Sequence, residues 1–163
     1  MVSAVTSKPE IPPGVRETSQ HIRKVQTRMA EVMGRLKMRA LTHDASKLEP
    51  PEVEAFERVA GALFGLTYGS EEYRRQLATV DLRPALEHHY SNNSHHPEYW
   101  SDGITGMSLL DLLEMLADWK AAGERHADGS MARSLAINRG RFGIPDALQA
   151  ILENTAKELG WVD

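Results

Sequence analysis

The chain predicts an all-α fold, a single helical globule of about six or seven helices, and three observations carry that expectation. Apolar residues recur at steps of three and four over several stretches, the spacing of one helical face. Gly, Pro and turn-forming residues fall mostly between those stretches. No segment of useful length alternates apolar with polar residues, so no strand is expected, and there is no internal repeat.

The elements follow in order. Residues 1–14 hold three prolines and little apolar material, so they predict a flexible lead-in, with one domain over 15–163. From Thr18 onward Ile22, Val25, Met29, Val32 and Leu36 mark one helical face, with Thr18 or Ser19 able to cap its start. A short helix is expected around Leu41 to Leu48, stopping before Pro50 and Pro51. Pro51 then suits the first turn of a helix carrying Val53, Phe56, Val59, Ala60 and Leu63, after which Gly61, Gly65 and Gly69 interrupt. Residues 71–90 predict one helix with a kink at Pro84. The segment SNNSHHPEYWSDGITG has no periodicity and predicts a loop. Residues 107–126 form the most apolar helix, and Ser130 to Phe142 and Pro145 to Leu159 give two more, with Gly160 as a stop. Met29, Met33, Met38, Met107 and Met115 are expected to fill the core.

Composition narrows the chemistry. The 163 residues suit one domain, and 41% apolar with 26% charged residues is the balance of a globular protein. A formal net charge of -4 argues against a general nucleic-acid binder, while leaving room for a small anionic substrate held by local cations. With no cysteine, disulfides and thiol catalysis are excluded, and any metal must be held by His, Asp and Glu. No apolar run approaches the ~20 residues of a membrane helix, and the first residues lack the apolar core of a signal peptide. A soluble cytoplasmic protein is therefore expected, with a homodimer as the symmetry default.

Six of the seven histidines, His21, His43, His88, His89, His95 and His96, lie in the first 96 residues, and His43 is followed directly by Asp44. Imidazole and carboxylate are the natural ligands of a divalent metal once thiolates are absent. Adjacent residues on a helix point about 100° apart, so His43 and Asp44 can serve one metal only at a helix end or bend. On the later helix Asp111, Glu114 and Asp118 share one stripe, which is either a solvated face or a set of acids held near a cation.

The order His21, His43-Asp44 and a distant Asp resembles the HD-domain superfamily of metal-dependent phosphohydrolases. More closely, THDASKLEPPE, HHYSNNSHHPEYW and LLEMLADWKAAGERHADG resemble an HD-related family found in phages and bacteria, over residues 19 to 160. The resemblance implies that His43 and Asp44 are the central ligands, Asp44 the bridge between two metals, Asp118 the closing ligand and His21 the first. His88, His89, His95 and His96 are similar to the extra ligands of two-metal members. Lys47 matches a lysine that faces the substrate anion. The GYP triplet is absent and Ser46 replaces a glycine, so the resemblance does not extend to cyclic-dinucleotide specificity.

The implied activity is hydrolysis of a nucleotide or related small phosphoester through a water activated by one or two divalent ions (Mn, Fe, Co, Mg or Zn). Lys47 would neutralise phosphoryl charge, and Glu98 or an unligated histidine would protonate the leaving oxygen. Asn92 and Asn93 suit turns, and Asn93 can also bond a substrate. Tyr99 and Trp100 can wall a pocket, and Arg139 and Arg141 can reach a phosphate. Two alternatives remain open: a di-iron oxygenase on the same scaffold, and a non-catalytic regulatory protein stabilised by metal.

Overall fold

The structure is a computed structural model and describes residues 12–65, 71–125 and 129–162. Among these residues there are seven α-helices and no strand, so the all-α expectation holds. The expected lead-in lies outside the described residues as far as residue 11. The chain divides at Leu41 and Thr42 into two compact units.

The described part of the first unit consists of the helix α1 (Pro13–Thr42), 30 residues long, as far as Leu41. It starts five residues before Thr18, because a proline in a helical first turn gives up no hydrogen bond, and Arg16 N–H already bonds Pro12 O at 3.1 Å. Its apolar stripe forms as expected, yet no residue of α1 is buried. Met29, Met33 and Met38 are 57%, 61% and 59% exposed, so they are not core filler.

The second unit holds α2 (Glu52–Leu63), α3 (Glu71–Leu77), α4 (Arg83–Asn92), α5 (Leu109–Glu124), α6 (Met131–Phe142) and α7 (Asp146–Glu158). The short helix expected near Leu48 is a single 3-10 turn, Ala45–Leu48, stopped by the two prolines. Gly61 lies inside α2, and the break comes after it, where Gly65 takes φ 76. The helix expected over 71–90 is two. Bonds from Thr79 N–H to Gln76 O and from Val80 N–H to Leu77 O close α3, and Pro84 stands in the first turn of α4 instead of kinking a continuous helix.

The core lies among α5, α6 and α7. Leu112, Met115 and Leu116 of α5 meet Met131 and Leu135 of α6, Ile144, and Leu152 and Ala156 of α7. The most apolar helix of the sequence thus sits at the centre, and Met115 and Met107 do pack there. Trp119 and Phe142 stack beside them with ring planes 4° apart. Ser108 caps α5 reciprocally with Asp111, each side chain bonding the other's backbone N–H.

The segment between α4 and α5 contains two 3-10 turns, Pro97–Tyr99 and Gly103–Gly106. Trp100 Nε1 donates to Ser94 O at 2.9 Å, and Ser94 Oγ donates to Asp111 Oδ1 at 2.7 Å. A Cβ at Gly106 would lie 3.0 Å from Trp100 Cβ, which leaves little room for any residue but glycine. These ties fix a loop that carries two of the candidate histidines.

Candidate metal centre

The geometric problem of adjacent ligands is solved by the end of a helix. α1 stops at Thr42, and Asp44 takes φ 54 and ψ 20, a left-handed conformation that costs a non-glycine residue roughly 1–2 kcal/mol. The bend turns His43 and Asp44 to the same side, with His43 Nε2 3.5 Å from Asp44 Oδ2.

Three further histidines arrive from the last turn of α4 and the loop behind it. His89 Nε2 and His95 Nε2 each lie 3.4 Å from Asp44 Oδ1. Four ligands at ~2.1 Å from one ion in tetrahedral array stand about 3.4 Å apart, so these spacings are those of a coordination shell. His96 Nε2 lies 2.8 Å from His89 Nε2, nearer the octahedral edge of about 3.0 Å for the same bond length. One ligand atom from each of Asp44, His89, His95 and His96 falls within 4.8 Å of the other three.

Two of these atoms, Asp44 Oδ1 and His95 Nε2, are buried without any hydrogen-bond partner. Leaving a buried polar atom unpaired costs about 1–3 kcal/mol, and here two such atoms face each other. A divalent cation satisfies both, so the residues fit a metal.

Carboxylates behind the rings set their tautomers. Glu114 Oε1 accepts from His43 Nδ1 at 2.9 Å and lies 3.2 Å from His95 Nδ1. Glu52, fully buried, accepts from His89 Nδ1 at 2.8 Å and from His88 Nδ1 at 2.7 Å. An ionised carboxylate only accepts, so each of these rings presents an N–H at Nδ1, and in His89 and His95 the Nε2 lone pair is left facing Asp44. Backing of this kind is the usual support of a metal-ligating histidine.

A second group adjoins the first through Asp44. His43 Nε2, Asp44 Oδ2 and Asp118 Oδ1 lie within 4.8 Å of one another, with His43 to Asp118 at 3.7 Å. Lys47 donates to that same Oδ2 of Asp44, placing a cation beside it. Burial works to raise the Asp44 pKa, but the Lys47 hydrogen bond and charge, with His43 and His89, hold it below the ordinary carboxylate range. Asp118 is likewise held low, its burial outweighed by His43 and then by His95 and Lys47. His43 is raised to about 9, chiefly by the neighbouring Asp118 carboxylate, with burial opposing and Glu114 and Asp44 adding to the rise. Burial pushes His96 down to about 4, helped by the neighbouring His95 and His89, and burial lowers His95 as well.

Of the candidate ligands, the structure brings together His43, Asp44, His89, His95, His96 and Asp118. His88 is bound outward to Glu52 and supplies no atom to either group. His21 is exposed on α1, in the first unit. Asp111 leaves the expected acidic stripe for the α5 cap and the Ser94 bond. Asn93 is buried and donates to Ser46 Oγ and His89 O at 2.8 Å each, so it braces the site. Asn92 bonds His88 O, and Trp100 ties the loop to Ser94. Arg141 pairs with Glu98 at 2.8 Å on the surface, and Arg139 pairs with Asp146. Tyr99 is 44% exposed beside Trp100.

Glu52 and the outer role of Glu114 were not legible in the sequence. A glutamate at the start of a helix reads as a partner of the helix dipole, and nothing in the Pro-Pro-Glu spacing points at imidazoles 36 and 37 residues away. Glu114 had a weak signal, one turn before Asp118 on an otherwise apolar helix.

The chain matches the model of a family of unknown function, DUF5662, over residues 14–159. No curated protein and no solved structure matches it.

Proposed function

We propose that this chain, which belongs to that family of unknown function, DUF5662, is a metal-dependent phosphohydrolase acting on a nucleotide or related small phosphoester. The observation that carries the reading is the pair of buried, unpartnered ligand atoms, Asp44 Oδ1 and His95 Nε2, 3.4 Å apart beside two more imidazole nitrogens. Three imidazoles and a carboxylate without a thiolate suit Zn, Mn, Fe or Co. Asp44, His89, His95 and His96 would hold one ion, and His43, Asp44 and Asp118 would be the candidates for a second, with Asp44 common to both groups.

When bound, such a metal supplies Lewis acidity, which makes water a nucleophile near neutral pH and polarises a phosphoryl oxygen. The chain's own residues do the remainder. Lys47, 40% exposed at its side chain, presents an ammonium to the phosphoryl oxygens while its bond to Asp44 keeps it at the rim. Glu52 and Glu114 hold the ligand rings in the productive tautomer. His95, buried, and His96, half-buried, would line the inner side of the site.

The test is elemental analysis of the purified chain, followed by phosphate release from a panel of nucleotides. The wild type is compared with Asp44→Asn and with the double substitution His89→Ala, His96→Ala. One or two equivalents of a divalent metal, and a loss of turnover of about 10²-fold or more in both variants, are expected. Unchanged turnover in Asp44→Asn would overturn the proposal. Bound iron with dioxygen consumption and no phosphate release would assign the same residues to di-iron oxygen chemistry. Bound metal with neither reaction would leave a metal-stabilised binding protein.

A further inference from the structure

The surface of α1 has a meaning of its own. Six of its apolar side chains follow a seven-residue repeat, while Met33, Met38 and Leu41 lie off it. Val15, Ile22, Met29 and Leu36 take the first position of each heptad, and Val25 and Val32 take the fourth, with Thr18 and Arg39 at the two ends. A 3.5-residue period sustained over three heptads is the seam of a two-stranded coiled coil rather than the broader face of a helix lying on a globule. Val15, Ile22, Val25, Met29 and Val32 are nevertheless between 40% and 57% exposed, on a helix without one buried residue. A helix of this kind is marginal in water without a partner for its apolar face.

The charge pattern selects the partner and its direction. The positions flanking the seam hold His21, Arg28 and Arg35 on one side and Gln26, Met33 and Ala40 on the other. In a parallel in-register pair, Arg28 of one copy lies against Met33 of the other and Arg35 against Ala40, where arginine stems can cover apolar surface. An antiparallel pair sets arginines against arginines. At roughly 60–120 Å² of apolar surface per side chain, the five exposed seam residues and Met33 of two copies cover about 1,000 Å², the lower edge of a specific interface.

We infer that α1 is a homodimerisation helix that pairs with α1 of a second copy as a parallel, in-register coiled coil. Basic residues outnumber acidic ones seven to two along α1, so each helix carries about +5. Salt screens that repulsion, and the dimer therefore tightens as ionic strength rises. Attachment of the same basic helix to an anionic lipid surface has the opposite dependence.

Sedimentation equilibrium of the full chain, from micromolar to near-millimolar concentration at low and high salt, tests the inference. A dimer that strengthens with salt, and that weakens by about ten-fold or more in Val25→Glu, Val32→Glu, is expected. Circular dichroism checks that the variant keeps its helix content. Because the chain has no cysteine, Ile22→Cys and Val32→Cys can each be oxidised alone. Intermolecular disulfides at both positions fit only parallel in-register pairing, since an antiparallel pair brings at most one of them to its own counterpart. A wild type that stays monomeric at every concentration and salt overturns the inference. So does a dimer that survives the double substitution, or a monomer that instead floats with phosphatidylserine vesicles at low salt.

Discussion

At the scale of single residues, Glu52 shows how strongly the second shell shapes the site. Both of its oxygens accept from imidazole Nδ1 atoms, and none of its surface reaches solvent. Glu52→Ala removes the group that fixes the His89 tautomer and leaves two ring N–H groups without their acceptor. Metal affinity, read by titration calorimetry, should fall about 10–100-fold, and Glu114→Ala should act similarly through His43 and His95. An unchanged affinity in both variants would show that the rings need no orientation. The histidines also set a pH dependence for chelator-treated protein. His43, raised to about 9, contributes stability that is complete below about 6.5 and is lost as pH rises through 9. His96, lowered to about 4, contributes stability that is complete above about 6.5 and is lost as pH falls towards 4, and His95 acts in the same sense. The melting temperature should peak near pH 6.5, with the acidic arm flattened in His96→Asn. These histidines were visible as a cluster in the sequence, but the choice of His89 over His88 depends on which ring α4 turns inward.

At the scale of the elements, α5 joins the core to the site. One of its faces buries Leu112, Met115 and Leu116, while Glu114 and Asp118 reach the histidines and Asp111 turns back to cap the helix. Ser108→Ala should cost about 1 kcal/mol, the ordinary loss of an N-cap, without moving metal affinity. Asp111→Ala should cost more, about 1–3 kcal/mol, because it also strands the half-buried Ser94 hydroxyl. The bond between the two residues holds the loop of His95 and His96, so Asp111→Ala should lower metal affinity as well. Denaturant titration beside calorimetry separates the two effects, and equal affinities in both variants would sever the loop from the cap. The sequence marked Asp111, Glu114 and Asp118 as one stripe because their spacing is helical. Three different uses for three acids on one stripe depend on what lies opposite each turn. Pro84 is a comparable case: a proline within a periodic stretch reads either as a kink or as a start, and the i to i+3 bonds that close α3 make it a start.

At the scale of the whole molecule, metal and folding should be coupled. The ligands come from the turn after α1, from α4, from the loop behind it and from α5, so an ion that binds only the folded chain ties distant segments together. At a metal concentration about 100 times Kd the stabilisation is about 2.7 kcal/mol. Chelation should therefore lower the melting temperature by several degrees, and added metal should restore it. A melting temperature indifferent to chelator and to metal would mean that the buried histidines are satisfied by other means. Charge is unevenly placed on the same scale: the formal total is -4 although α1 is strongly basic.

What the sequence determined by itself was what depends on local spacing. Helical periodicity and the stops near Pro50 and Gly160 follow from neighbours a few residues apart, where backbone hydrogen bonding and side-chain volume decide the outcome. The absence of cysteine and the crowding of histidine about one Asp fixed the kind of ligand available. Only the tertiary structure decided which histidines converge and that Glu52 and Glu114 stand behind them. Those outcomes depend on contacts between residues tens of positions apart, whose free energies belong to the packed arrangement and leave no periodic trace along the chain.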